Sequence, residues 1–173
     1  EQGCQLVVLG QGEPALQDAL RDAATRRPDA VAVFVDFNEA LAHSIEAGAD
    51  VFLMPSRFEP CGLNQMYSQA YGTLPVVHAT GGLADSVEDV RVDADGVTGT
   101  GFVMPEPTVP ALQHALQRAL ALFAQPEDWR RVQALGMGRD FGWAGSAREY
   151  ESVYRRILAA QRPPHMSFSG DHL

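Results

Sequence analysis

The sequence predicts an α/β fold: a Rossmann-like parallel sheet flanked by helices, with further helices at the end of the chain. Short apolar runs alternate with segments of helical periodicity, an order typical of parallel strands joined by right-handed crossover helices. Two strand-to-helix turns follow one another between Val51 and Asp85. The chain has 173 residues, 46% hydrophobic and 20% charged, which suits one globular domain with a substantial core.

The first half of the chain shows the clearest alternation. Each predicted strand is an apolar run of four or five residues, and most predicted helices repeat apolar residues at helical spacing. Pro14 suits a first helical position, whereas Pro28 and Gly48 each prevent a helix from continuing. These signals predict strands at residues 6–9, 31–35, 51–54 and 75–78, and helices at 14–26, 40–47, 62–71 and from about 81.

The pattern changes after Val90. A polar, glycine-rich loop is predicted over residues 93–101 and a short fifth strand over 101–104. Helical periodicity then returns and predicts three helices at about 109–123, 126–135 and 146–160. We predict one domain over residues 1–160 and a flexible tail over residues 161–173.

The bulk properties argue against several classes of function. The formal net charge of −9 disfavours a nucleic-acid or anionic-membrane surface. No apolar run approaches the length of a membrane span. Cys4 and Cys61 form no CxxC motif, and the histidines show no metal-ligand spacing, so we expect no bound metal.

The stretch from Val51 to Asp85 carries the candidate chemistry. Glu59 follows a predicted strand in a tight turn, and Gly62 begins the next helix. Open α/β folds bind ligands at the carboxyl ends of their strands, and unpaired amides at helix N-termini attract phosphate. A carboxylate at that edge can bind sugar hydroxyls or balance the charge of an oxocarbenium-like transition state. The alternative is that Glu59 is an ordinary acidic residue of a surface turn.

Other residues near this stretch allow both a functional and a structural interpretation. Gly81 and Gly82, beside Thr80, either let a ligand approach the backbone closely or simply form a loop. Phe37 is either a base-stacking aromatic or a packing residue. Cys61 is a modifiable thiol or a small residue in a tight turn, and a nucleophilic role would need a nearby base that the sequence does not identify.

A competing motif lies at the first strand-to-helix turn. Gly10-Gln11-Gly12-Glu13-Pro14-Ala15 fits the G-x-G-x-x-A form of a dinucleotide fingerprint, and Asp36 follows the next strand. This motif would indicate an NAD-binding oxidoreductase domain. However, Glu13 and Pro14 place an anion and a missing N–H where the pyrophosphate would dock. A glycine turn that ends a strand is the simpler interpretation.

Three segments resemble starch and glycogen synthases: Glu59-Pro60-Cys61-Gly62-Leu63-Asn64-Gln65, Tyr71-Gly72-Thr73 and Thr80-Gly81-Gly82-Leu83-Ala84-Asp85. The resemblance extends from about Gln5 to Leu158 and implies the C-terminal half of a GT-B glycosyltransferase. Such an enzyme transfers glucose from ADP-glucose to the non-reducing end of an α-1,4-glucan, with retention and without a metal or other cofactor.

A finer resemblance concerns the source of the sequence. Asn64-Gln65 and Val76-Val77-His78-Ala79-Thr80 look more like soluble plant or algal starch synthases than bacterial glycogen synthases. This resemblance implies a location in the plastid stroma, in a chloroplast or an amyloplast. The alternative location is the bacterial cytoplasm.

The resemblance implies a role for each matched residue. Glu59 corresponds to the carboxylate near the donor glucose, and Phe37 corresponds to an adenine-stacking aromatic. Tyr67 stands where many related enzymes carry a second Glu, as is usual in the starch and glycogen synthase branch. The implied substrate-binding residues of the two turns are Cys61, Gly62, Leu63 and Asn64 in the first, and Thr80, Gly81, Gly82 and Leu83 in the second.

The resemblance also implies partners and a missing part. The implied partners are ADP-glucose or ADP and an α-1,4-glucan. The family's N-terminal domain, with its Lys-x-Gly-Gly-Leu loop, and an Arg/Lys pair that neutralises the diphosphate have no counterpart in this sequence. Losing one preorganised charge partner typically costs about a hundredfold or more in rate. We therefore expect the isolated chain to be inactive; a non-catalytic paralogue that holds nucleotide or glucan is the alternative.

Overall fold

The computed structural model describes residues 3–160 of the chain. The chain divides into two compact units, residues 1–139 and residues 140–173. The predicted flexible tail over residues 161–173 lies outside the described residues. The predicted domain over residues 1–160 stays a prediction.

The first unit alternates strands and helices in the predicted order as far as α4, and three short strands and two helices follow. Its strands are β1 (Leu6–Leu9), β2 (Val31–Phe34), β3 (Val51–Met54), β4 (Leu74–His78), β5 (Arg91–Asp93), β6 (Gly96–Thr98) and β7 (Phe102–Met104). Its helices are α1 (Pro14–Arg26), α2 (Glu39–Gly48), α3 (Asn64–Tyr71), α4 (Gly81–Ser86), α5 (Val109–Phe123) and α6 (Pro126–Met137).

Parallel pairing arranges five of these strands in two ladders. β1 pairs with β2, and β4 lies between β3 and β7 in a separate three-stranded ladder. Within the described residues, no ladder joins β1 to β3. The predicted α/β class with parallel strands is confirmed. The division into two ladders was not predicted, because an apolar run in the sequence identifies a strand but not the strand with which it pairs.

The prediction of a loop over residues 93–101 is wrong in part. β5 and β6 form an antiparallel hairpin in which Asp93 lies opposite Gly96. Gly96 has a φ of +121°, a conformation that favours glycine. Asp95-Gly96 is a sequence signal for such a turn. The strands on either side have only three residues each, too few to show a clear alternation.

The core is built around β4, which is buried along its whole length. Val76 of β4 belongs to a cluster that includes Phe102 of β7 and Trp129 of α6. Its neighbour Val77 packs on the opposite face with Leu83 of α4. Because successive residues of a strand point to opposite faces, helices cover β4 on both sides, as is usual for a parallel strand. The carboxyl end of β4 is therefore held firmly.

The described part of the second unit contains α7 (Trp143–Ala160). Glu151 and Arg155 lie one turn apart and form an ion pair, with 2.6 Å between Oε1 and Nη2. The helix begins three residues before the predicted boundary at residue 146. Among the described residues, no helix is both long enough and apolar enough to cross a membrane.

Among the described residues, one carboxyl group is buried, that of Glu46 in α2. The Glu46 side chain is only 4% exposed, and its Oε2 lies 3.9 Å from Nδ1 of His43. This oxygen has no hydrogen-bond partner among the described residues. Burial raises the pKa of the Glu46 carboxyl above its ordinary value of 4.5, and a charge on His43 opposes the rise. A raised carboxyl pKa means that Glu46 stabilises the fold fully below pH 4.5 and less as the pH rises through the folded-state pKa.

We expect Glu46→Gln to raise the free energy of unfolding at neutral pH by about 1 kcal/mol, because it removes a buried charge that lacks a hydrogen bond. Urea unfolding of the wild type and the variant, followed by circular dichroism from about pH 4 to pH 8, measures the effect. The difference in stability should shrink as the pH falls towards 4.5. Glu39→Gln, at an exposed position of the same helix, is the matched control and should give no gain. Parallel pH profiles for the wild type and Glu46→Gln would contradict this account.

Candidate functional site

Two turns lie side by side at the carboxyl edge of the larger ladder. The first turn, residues 55–63, leads from β3 into α3, and the second turn, residues 79–82, leads from β4 into α4. β3 and β4 are parallel neighbours, with Met54 beside Val77. The pairing therefore brings both turns to the same edge of the sheet, where α/β folds bind their ligands.

The backbones of the two turns are in direct contact. The N–H of Gly82 donates to the carbonyl of Glu59 over 3.3 Å. A Cβ atom at Gly81 would overlap this carbonyl oxygen, and one at Gly82 would overlap the backbone of Cys61. Gly81 also has a φ of +44°. Both glycines are thus required by the approach of the first turn, a reason that neither interpretation from the sequence, ligand approach or a simple loop, had included.

The amides at the end of the first turn are unpaired, whereas those of Gly82 and Leu83 at the second turn are occupied. The N–H groups of residues 62–65 have no hydrogen-bond partner among the described residues. The N–H of Gly82 is bound to Glu59, and that of Leu83 donates to the carbonyl of Thr80 over 3.1 Å. The expectation of two rows of unpaired amides therefore holds for the first turn alone. At the second turn, the packing of the turns occupies the Gly82 amide, and a local bond to Thr80 occupies the Leu83 amide.

Glu59 is the acid at this edge. Glu59 is half-buried. In the part of the chain that the structure describes, its carboxylate makes no hydrogen bond or ion pair. Cys61, Leu63 and Asn64 follow it and are exposed. A carboxylate without a partner can accept hydrogen bonds from hydroxyl groups, and the unpaired amides that follow it in the chain can hold an anion.

His78 was not identified from the sequence as a site residue, yet it joins the two turns. It ends β4, and its Nδ1 lies 2.8 Å from the carbonyl oxygen of Ser56 in the first turn. A carbonyl can only accept, so Nδ1 carries a proton in this contact. The contact fixes the first turn to the buried end of β4. No local sequence signal marks this role, because it depends on residues 22 positions apart.

Phe37 is not joined to the two turns. It follows β2 and is 88% exposed, and its N–H donates to the Asp36 carboxylate over 2.8 Å. Within residues 3–160, no hydrogen bond or ring contact links Phe37 to either turn. A search of the same residues finds no group of three His, Cys, Asp or Glu side chains that could hold a metal ion.

The fold and this edge define an α/β domain whose ligand site lies where neighbouring parallel strands end. Comparison with known proteins specifies the class further. A family model described as "Glycosyl transferases group 1" matches residues 1–133. The chain belongs to this family of glycosyltransferases. This assignment favours the structural interpretation of the Gly10 and Gly12 turn over the NAD-binding one.

Individual relatives agree with the family. The glycogen synthase of Paracidovorax citrulli (strain AAC00-1) is 59% identical over 165 residues, which cover 94% of this chain and 32% of that protein. The glycogen synthase of Cellvibrio japonicus (strain Ueda107) is 52% identical over 159 residues, covering 92% and 33% respectively. The chain thus spans about a third of the length of the curated relatives it matches. The resemblance to starch and glycogen synthases is confirmed.

A solved structure gives the same result. The catalytic domain of starch synthase IV from Arabidopsis thaliana, bound to ADP and acarbose, matches with a TM-score of 0.77 and 35% sequence identity. The match covers 91% of this chain and 33% of that one. The finer resemblance to plant enzymes is not supported, because bacterial glycogen synthases reach 51–59% identity. The plastid location implied by that resemblance is therefore not supported either.

We expect Gly82→Ala to lower the free energy of unfolding by about 2 kcal/mol, because the added methyl group overlaps the backbone of Cys61. Gly12→Ala is the matched control: a Cβ atom there meets nothing within 4 Å, and Gly12 is not among the positive-φ glycines. The control should leave stability unchanged or raise it by up to about 1 kcal/mol. Urea unfolding of the three proteins gives the comparison. Equal stability of the two variants would mean that the turns do not touch as described.

Proposed function

We propose that this chain supplies the donor-binding half of a retaining glucosyltransferase that acts in glucan synthesis. The enzyme takes glucose from ADP-glucose and adds it to the non-reducing end of an α-1,4-glucan. The observation that carries the proposal is the contact of the two turns, which fixes the backbone at Glu59 a few residues before the unpaired amides of Gly62, Leu63 and Asn64. The bacterial glycogen synthases and the ADP-bound starch synthase IV support the choice of donor and acceptor.

The proposed chemistry divides between the acid and the amides. The bond between the glucose anomeric carbon and the distal phosphate oxygen breaks, and a bond to the acceptor hydroxyl oxygen forms on the same face of the sugar. Glu59 binds sugar hydroxyls and balances the positive charge that develops on the ring. The amides of Gly62, Leu63 and Asn64 stabilise the departing diphosphate. The acceptor proton leaves with the diphosphate.

Further proposed contacts complete the donor site. Cys61 borders the sugar, and the second turn (Thr80, Gly81, Gly82 and Leu83) contributes the wall behind it. Phe37 stacks on the adenine, which requires the donor to extend from the first turn towards the end of β2. No metal or other cofactor is proposed. The remaining two thirds of the relatives' length would supply the acceptor side and the cations for the diphosphate. The bacterial relatives favour the bacterial cytoplasm as the location.

A chimera tests the proposed function directly. This chain would replace the matching third of the Paracidovorax citrulli glycogen synthase, to which it is 59% identical. We expect the chimera to extend glycogen from radiolabelled ADP-glucose, and the 173-residue chain alone to give no product in a single-turnover assay. A chimera that binds ADP without extending glycogen would instead indicate a non-catalytic nucleotide-binding protein. Product from the isolated chain would show that no other segment is needed.

In the active chimera, we expect Glu59→Gln to lower kcat by about a hundredfold or more, because the neutral amide no longer balances the developing positive charge. Affinity for ADP should stay within about twofold, since the nucleotide lacks the sugar that Glu59 contacts. Glu127→Gln, in the first turn of α6, is the matched control and should keep full activity. Unchanged turnover in Glu59→Gln would remove this acid from the site.

A further inference from the structure

A fully buried side chain lies directly behind the first turn. Gln65, the second residue of α3, has no exposed surface. Its Nε2 lies 3.1 Å from the carbonyl oxygens of both Cys61 and Gly62, and 3.0 Å from Oγ of Ser86. The two N–H groups of this side-chain amide are therefore shared among three acceptors: two successive carbonyls of the first turn and the hydroxyl of the last residue of α4.

Ser86 extends this contact to the second turn. Its Oγ donates to the carbonyl of Gly82 over 2.5 Å, so the hydroxyl accepts from Gln65 and donates to Gly82. Gln69, also fully buried, donates from Nε2 to the backbone carbonyls of Gln65 and Ser86. The side chains of Gln65, Gln69 and Ser86 form a polar brace that connects both turns from beneath.

The orientation of the Gln65 amide follows from its partners. The carbonyl oxygens of Cys61 and Gly62 can only accept, so Nε2 must face them and Oε1 must face away. Oε1 has no hydrogen-bond partner in the described part of the chain, and a Cβ atom at Gly62 would overlap it. Gly62 has a φ of +71°, which also favours glycine there. A buried carbonyl without a hydrogen-bond partner is costly. The orientation of the Gln65 side-chain amide is therefore set by the backbone carbonyls that its Nε2 contacts.

The consequence for the site comes from the planarity of the peptide group. In a trans peptide, the carbonyl of one residue and the N–H of the next point in opposite directions. Because Gln65 draws the carbonyls of Cys61 and Gly62 inward, the N–H groups of Gly62 and Leu63 must point away from the brace. These are two of the amides that have no partner in residues 3–160.

We infer that Gln65 is a positioning residue, which holds the Gly62 and Leu63 amides in the orientation that receives the distal phosphate of a nucleoside diphosphate. The inference rests on the proposed function, since it names the group that these amides bind. Gln65 is buried beneath the turn and does not touch the ligand itself. Its loss should therefore weaken binding of the distal phosphate and leave binding of the nucleoside and proximal phosphate unchanged.

Titration calorimetry of the full chain with ADP and with AMP isolates this effect, because the two nucleotides differ by the distal phosphate. In Gln65→Met, which keeps the length of the side chain, we expect the Kd for ADP to rise about tenfold and that for AMP to change by less than about twofold. Ser86→Ala breaks the same brace with a smaller change to the side chain. It should raise the Kd for ADP selectively by about threefold. This second variant keeps the test decisive if Gln65→Met fails to fold.

Gln133→Met is the matched control. Gln133 also donates a part-buried side-chain amide to a glycine carbonyl, that of Gly72, over 2.7 Å, but at the opposite end of α3. Its loss should lower the free energy of unfolding without changing the ratio of the two dissociation constants. The inference would be overturned if Gln65→Met weakened the binding of ADP and AMP equally, or weakened neither. It would also be overturned if the control lost affinity for ADP selectively. A wild-type chain that binds ADP no better than AMP would overturn the proposed function along with it.

Discussion

The contact between the backbone of the first turn and the Gly81-Gly82 pair is the constraint on which the site depends. With the Glu59 carbonyl on the Gly82 amide and the Cys61 backbone against the Gly82 α carbon, no side chain fits between the turns. The contact occupies the Gly82 amide of the second turn, whereas the Gly62 and Leu63 amides of the first turn have no partner among the described residues. It also fixes the backbone from which the Glu59 side chain projects. One steric condition thus sets both the position of the acid and the set of available hydrogen-bond donors.

The core explains why the two turns can be held so closely. β4 is buried on both faces, so the point at which it ends cannot shift without disturbing Val76 on one side and Val77 on the other. His78 then ties the first turn to that end, and the brace of Gln65, Gln69 and Ser86 ties both turns together from below. In contrast, β1 and α1 contain no fully buried residue among those described. Among the described residues, the candidate site therefore adjoins the well-buried β4 and not the more exposed first strand and helix.

Much of the candidate site could be predicted from the sequence, because its residues are close together along the chain. Glu59 and Gly62 follow an apolar strand, and a glycine pair follows the next one, so a shared edge was expected. The resemblance to starch and glycogen synthases then attached a role to each residue, and the relatives confirm that resemblance. Gln65, Ser86 and His78 were missed as site residues. Their importance comes from hydrogen bonds that span about 20 residues or more, which no local pattern reveals.

The sequence by itself determined the order of strands and helices, the edge at which the candidate site lies and the acid at its centre. Periodicity, glycine and proline act over a few residues, so these features are encoded locally. Only the tertiary structure decided that the strands pair in two ladders, that a short hairpin replaces the polar loop, and which amides remain unpaired. Each of these depends on where distant backbone groups meet. A carbonyl at Glu59 and an amide at Gly82 become partners only when the chain between them has folded.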